Sequence, residues 1–245
     1  MKRIYTFGHE QVERNITVGD IIQNKNINKK MTQVTAANQE EAEIIAKENI
    51  DMIITGSDWY EDVRKGAPNT FITAALFAGR FITNEEILRG AFEVMMAGAD
   101  SVLTPRSFDV VEMLAKEGMQ VQGHVGMVPS MATKYGGIRT VGKTADEAIT
   151  ILKDMKRLED AGAFGAEVEC VAEDALIEIK KHTSLVINLP ANNAAVMKVF
   201  GAPFLTSSYQ SLPVMIISIF SLAIISASSW LAAVTCVIFL LLFLF

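Results

Sequence analysis

The chain has 245 residues, a net charge of −6 and two cysteines far apart, Cys170 and Cys236. That length accommodates one α/β barrel, or a smaller domain with an appendage, with a large core in either case. The acidic balance leaves no basic stripe to displace phosphate counterions and argues against a nucleic-acid partner, while the cysteine spacing fits a reducing compartment rather than a disulfide framework or a zinc site.

The opening MKRIYTFGHEQVERN has basic residues with no apolar stretch after them, so it does not read as a secretory signal. Residues 1–30 are polar and mixed and are expected to form a lead-in without a core element. From Met31 a regular alternation begins: MTQVTAA as a strand, Gln39 to Asn49 as a helix, and DMIITG from Asp51 as a second strand. It continues with TFITAA from Thr70 as a strand, Asn84 to Met96 as a helix capped by Thr83 or Asn84, DSVLT from Asp100 as a strand, and Ser107 to Glu117 as a helix. Gly98, Gly118 and Gly162 occupy the position just past a helix where a left-handed residue is needed.

Met119 to Gln122 predicts a short strand, and Thr144 to Ala161 a long amphipathic helix opened by a Thr144–Glu147 capping box. Between them lies Gln122 to Thr144, crowded with glycine and basic residues, a longer connection than a compact domain ordinarily carries. In alternating α/β chains the loops after the carboxyl ends of strands hold ligands, which places His124 at an active rim. AEVECV from Ala166, a helix over Ala172 to Lys181, and SLVINL from Ser184 complete seven strand-like units. Continuous apolar strands separated by helices predict a parallel sheet, and this many units favour a (β/α)8 TIM-barrel type over a doubly wound sheet. No Gly-x-Gly-x-x-Gly follows the first strand, which weakens a dinucleotide reading.

After Lys198 no charged residue occurs, and Pro213 to Phe245 is almost wholly apolar. The expected organisation is a lead-in over 1–30, a (β/α) barrel over 31–190, a linker over 191–212 and a hydrophobic tail over 213–245. The tail is long enough for one tilted transmembrane helix over Leu222 to Phe245, or two short ones hinged near Ser226 to Ser229 with Trp230 at an interface. Lys180, Lys181 and Lys198 on its amino side would then keep the barrel cytoplasmic, anchored through the tail. A frame-shifted or fused carboxyl end and a core helix are the other two readings, and an uncharged run this long rarely serves as a core helix.

GHVGMVPS (Gly123 to Ser130), GGIRTVGKT (Gly136 to Thr144) and LEDAGAFGAEVECV (Leu158 to Val171) resemble the ketopantoate hydroxymethyltransferase family, as do ITVGDI near Ile16, KMTQVTAANQEEA from Lys30, DMIITGS from Asp51 and KGAPN from Lys65. The resemblance spans roughly residues 16–188. It implies a (β/α)8 barrel, a magnesium ion, and transfer of a one-carbon unit from 5,10-methylenetetrahydrofolate to 3-methyl-2-oxobutanoate in pantothenate biosynthesis. Removing a proton next to a ketone needs a carboxylate base within hydrogen-bond reach and a cation chelated by the keto acid to hold the enolate charge. By the resemblance Glu169, in VECV, is the catalytic base and His124, in GHVG, the active-site histidine, with Ser57 and Asp58 around the keto acid.

The metal positions depart from the family. Its Gly-Asp-Ser motif stands here as Gly56, Ser57 and Asp58, which leaves Asp58 as the metal candidate one position out of register. Its second metal aspartate falls on Ala75, and its Lys-x-Glu pair on Leu103 and Pro105. Agreement ends at the seventh strand, so the barrel is expected to be incomplete at its carboxyl end, with open edges covered by homo-oligomerisation or by the tail. Two further functional readings stay open: a member that binds without catalysing, as a scaffold or decayed gene product, and a related barrel lyase acting on another small α-keto acid.

Overall fold

The structure is a computed structural model that describes residues 1–190. Among these, Lys2–Tyr5 (β1) and Gln11–Arg14 (β2) pair as an antiparallel hairpin and lead into helix α1, Val18–Asn26. Strand-helix units follow: β3 Gln33–Thr35, α2 Gln39–Lys47, β4 Met52–Gly56, α3 Tyr60–Gly66, β5 Phe71–Ala75, α4 Asn84–Met96, β6 Ser101–Leu103 and α5 Phe108–Lys116. The last units are β7 Val121–Gly126, α6 Ala145–Asp160, β8 Gly165–Glu169, α7 Glu173–Ile179 and β9 Val186–Asn188. Strands β3 to β9 form one parallel sheet in sequential order, the curled half-barrel of an α/β TIM-barrel type. The linker, the apolar tail and its transmembrane reading lie outside the described residues; among those described, no helix is long and apolar enough to cross a membrane.

The two faces of the sheet follow from strand register, since alternate side chains point to opposite sides. Ile53, Ile72, Ala74, Val102, Val121, Val125, Ala166 and Val168 face outward into the main core beneath the helices, against Val63, Ile87, Val94, Leu114, Met155 and Leu158. Burying each of the larger of these side chains is worth about 1.5–3 kcal/mol, which is what holds the helices to the sheet. The inner face is layered. At the amino end of the strands Met52 and Phe71 close over Ile21 of α1, with Phe164 and Val186 packed against them, so α1 plugs the bottom of the curl. Above this, Gln122 Nε2 donates to Thr73 Oγ1 at 3.1 Å and the Thr73 and Ser101 hydroxyls meet at 2.8 Å, satisfying the buried polar groups of the middle layer.

The amino-terminal residues are thus part of the core, contrary to the expectation of a lead-in. Ile21 is 1 % exposed and Arg14 2 %. Arg14 Nε donates to Asp100 Oδ1 at 2.7 Å, Arg64 Nη2 donates to Asp100 Oδ2 at 2.7 Å, and the Ile72 N–H donates to the same oxygen at 2.9 Å. One carboxylate therefore ties the hairpin, α3 and β5 together, and a polar sequence hides this because the charges are buried as a set. Helix α1 also reaches the last strand: Lys25 Nζ donates to the Thr183 carbonyl at 2.7 Å. At the same corner the Glu159 carboxylate takes hydrogen bonds from Thr183 and Ser184. Burial opposes its ionisation, yet Lys156 and these hydrogen bonds outweigh burial and hold its pKa at about 2.

Helix boundaries follow local chemistry. Thr83 and Glu86 form a full capping box on α4. Thr144 caps α6 through the Glu147 N–H, but the Glu147 carboxylate turns to the Lys143 N–H and to Arg139, so the predicted box is only half made. Gly98, Gly118 and Gly162 have φ of +96°, +84° and +86°, as their helix-stop position requires.

Candidate active site

Strand β7 extends to Gly126, so His124 stands on the strand itself rather than in the loop that begins at Gln122 in the sequence reading. The glycines there serve packing. A Cβ on Gly123 would lie 2.4 Å from Leu158 Cδ2, which means α6 sits directly on this strand. Gly126 has φ +90°, and a Cβ there would lie 2.3 Å from the Glu169 carbonyl. β7 and β8 can therefore approach only because this residue is glycine.

β7 and β8 run in parallel with His124 opposite Glu167 and Gly126 opposite Glu169. His124 Nε2 and Glu169 Oε2 are 3.0 Å apart, with side chains 9 % and 10 % exposed. Glu167, two residues before Glu169, shares that inner face, and Asn188 of β9 stands opposite it on the other side. Burial pushes the Glu167 carboxyl above the usual carboxylate range; His124 opposes this, and the neighbouring Glu169 adds to it. Cys170, next in the chain, has φ +51°, a left-handed conformation that an L side chain adopts at a cost of about 1–3 kcal/mol and that recurs at functional sites. It turns the chain so that the Cys170 carbonyl accepts from the Val141 N–H at 2.9 Å while the Glu169 carbonyl accepts from Met127 N–H at 2.9 Å. Burial and then the Glu169 charge push the Cys170 thiol up.

The opposite rim is different. Gly56, Ala75 and Leu103 oppose one another across β4, β5 and β6 at the same inner face. The ring edges of Phe77 and Trp59 lie 3.1 and 3.2 Å from where a Gly56 Cβ would be, so this wall is apolar and aromatic. Ser57 and Asp58 lie together in one cleft. Their cleft, of about 120 Å³, lies between α3 and α4 and is also walled by Tyr60, Glu61, Arg80 and Glu93. Asp58 is ion-paired with Arg80 there, both half exposed. Ser57 and Asp58 stand in the turn between β4 and α3, past the end of the strand.

Magnesium takes oxygen ligands in near-octahedral geometry. Ala75 and Pro105 supply no side-chain oxygen, Ser57 stands where the family has an aspartate, Asp58 is ion-paired with Arg80, and among the described residues no three carboxylate, histidine or cysteine groups converge as a metal site. The described residues do not fit that ion. What they do supply is the Glu169 carboxylate against the His124 imidazole, beside a second carboxyl, Glu167, whose ionisation burial disfavours. The alternation of Glu167 and Glu169 in the sequence is the signal for this pairing; nothing in the sequence marks Arg80 as the partner of Asp58.

The family model for ketopantoate hydroxymethyltransferase matches residues 57–193. A 3-methyl-2-oxobutanoate hydroxymethyltransferase of a Geobacillus species is 30 % identical over 195 residues, covering 69 % of this chain and 70 % of the relative. One from Saccharolobus islandicus is 27 % identical over 202 residues, covering 72 % of this chain and 74 % of the relative. Among solved structures, a Burkholderia cenocepacia protein assigned as a phosphonomutase superposes with a TM-score of 0.56 at 12 % identity, over 70 % of this chain and 83 % of that one. A second protein from the same organism, assigned as a lyase or mutase, gives a TM-score of 0.51 at 9 % identity, over 70 % of this chain and 73 % of that one. At these identities the structural likeness concerns the fold alone.

Proposed function

Since the chain belongs to the ketopantoate hydroxymethyltransferase family, we propose that it transfers a hydroxymethyl group from 5,10-methylenetetrahydrofolate to 3-methyl-2-oxobutanoate, giving 2-dehydropantoate for pantothenate biosynthesis. The observation that carries this reading is the buried Glu169–His124 pair at 3.0 Å, on the inner face at the carboxyl ends of β7 and β8. Glu169 takes the proton from C3 of the keto acid. His124 donates its Nε2–H to the carboxylate, fixing its orientation and the imidazole tautomer. The carbon so activated attacks the methylene carbon of the folate; a carbon–carbon bond forms, both bonds from that carbon to the carrier nitrogens break, water supplies the hydroxyl, and its other proton and the proton taken by Glu169 end on the two freed nitrogens. Ala75 and Leu103, both buried, present apolar side chains on the same inner face.

Ser57 and Asp58 stand outside this chemistry in the reading, because their cleft lies over the outer helices. An exposed ion pair such as Asp58–Arg80 is worth at most about 1 kcal/mol. Asp58→Ala should therefore leave both thermal unfolding and keto-acid turnover close to wild type, whereas loss of turnover in a folded variant would return Asp58 to the site.

The function is tested by incubating the full chain with 3-methyl-2-oxobutanoate and 5,10-methylenetetrahydrofolate and following 2-dehydropantoate by proton NMR. Product formation is expected. The substitutions at Ser57, Ala75 and Pro105 favour a second reading, a member that binds without catalysing, and keto-acid binding with no product is its expected result. Neither binding nor product would overturn both.

A further inference from the structure

We propose that Glu167 acts in this site as a neutral carboxylic acid, its O–H directed at the keto oxygen of the bound substrate, where it holds the enolate charge in place of a cation. The inference rests on the enolising site argued above and adds a residue to it. Three observations meet here. Glu167 lies directly opposite His124 across the β7–β8 ladder and two residues before Glu169, so the three side chains share one inward face. It is partly buried, and among the described residues its carboxyl takes no hydrogen bond, which leaves the group available to a ligand. The rim formed by Gly56, Ala75 and Leu103 provides no oxygen for a cation that would otherwise polarise the ketone.

The groups facing Glu167 are His124 from β7, Glu169 from its own strand and the uncharged Asn188 from β9. A second carboxylate beside Glu169 in a water-poor site favours the protonated form of one of the two, and burial of Glu167 acts in the same direction. In that form it is a donor. When Glu169 removes the C3 proton, the C3–H electron pair becomes the C2–C3 double bond and the carbonyl pair moves onto oxygen. The hydrogen bond from Glu167 strengthens as that charge develops, which is the condition for lowering the barrier. When C3 attacks the methylene carbon the carbonyl re-forms and Glu167 keeps its proton, so no co-reactant is needed. Because Glu167 must be protonated, the rate should fall as pH rises through its pKa.

The test combines activity and titration on the full chain in EDTA. Exchange of the C3 proton of 3-methyl-2-oxobutanoate in deuterated water is measured against pH for wild type, Glu167→Gln, Glu167→Leu and Glu169→Gln, each checked for folding by circular dichroism. Removing one such donor costs about 10²–10³-fold. Glu167→Leu should lose about that much, whereas Glu167→Gln, which keeps an N–H donor, should lose less and no longer decline with rising pH. Carboxyl ¹³C NMR, with the Glu167 resonance assigned by its absence in Glu167→Gln, should show it protonating above the ordinary glutamate range. Wild-type rates in Glu167→Leu, or an ordinary titration, would overturn the proposal while a dead Glu169→Gln leaves the enolising site intact. No exchange by wild type would overturn both.

Discussion

Glu169→Gln is expected to lower C3-proton exchange by about 10³-fold, within the 10²–10⁴-fold range of a positioned general base. The amide keeps the shape and a hydrogen bond to His124 but cannot accept the substrate proton. Folding should be nearly untouched: the side chain is 10 % exposed, its backbone pairing with β7 is unchanged, and its 3.0 Å contact with Nε2 can be remade through the other imidazole tautomer. His124→Ala should cost less, because the histidine orients the base and does not receive the proton in this account. Measuring both by proton NMR, alongside circular dichroism, separates the roles. A glutamine variant within about ten-fold of wild type would remove Glu169 from the chemistry, since a general base is worth at least about 10².

The largest expected effect on stability is at Asp100. Asp100→Ala leaves two buried guanidiniums, Arg14 and Arg64 with side chains 2 % and 14 % exposed, without their shared carboxylate. Removing one partner of a buried ion pair costs about 3–5 kcal/mol, because the remaining charge stays desolvated. Against the total of about 5–15 kcal/mol that ordinary domains have, the variant should be close to unfolding. Asp100→Asn keeps the shape and part of the hydrogen bonding and should fall between. Urea denaturation measures both, and a loss below about 1 kcal/mol for the alanine variant would mean that the knot of Arg14, Arg64 and Asp100 is only a surface pair, contrary to its burial.

The strand-helix alternation from Met31 onward was legible because apolar strands, caps such as Thr83 and Thr144, and glycines such as Gly98 act locally. Asn84–Met96 matches the sequence reading end to end. What was illegible depends on partners far away in the chain. Arg14 reads as a surface residue until Asp100, 86 positions on, is beside it. Helix α3, over Tyr60–Gly66, was passed over: only Tyr60 and Val63 mark its buried face, and its close contact with α2 depends on Gly66, where a Cβ would lie 2.2 Å from the Gln39 carbonyl. Gly123 looked like a loop residue when its role is to let Leu158 of α6 approach a strand. At the candidate site the GHVG and VECV stretches are visible in the sequence, but the meeting of His124 and Glu169 is not, since it depends on the pairing of β7 with β8; strand alternation puts Glu167 on their face. Asp58 shows the limit of motif reading: it stands in the turn after β4 and pairs with Arg80, a partner that nothing in the sequence marks.

The most direct measurement of the central claim is C3-proton exchange of 3-methyl-2-oxobutanoate by the wild-type chain in deuterated water, first in EDTA and then with magnesium titrated in. The account predicts exchange in EDTA that magnesium leaves essentially unchanged, because the inner face of β7 and β8 supplies the base and the donor from its own side chains. Exchange that appears only with magnesium, or no exchange from folded protein under either condition, would contradict it.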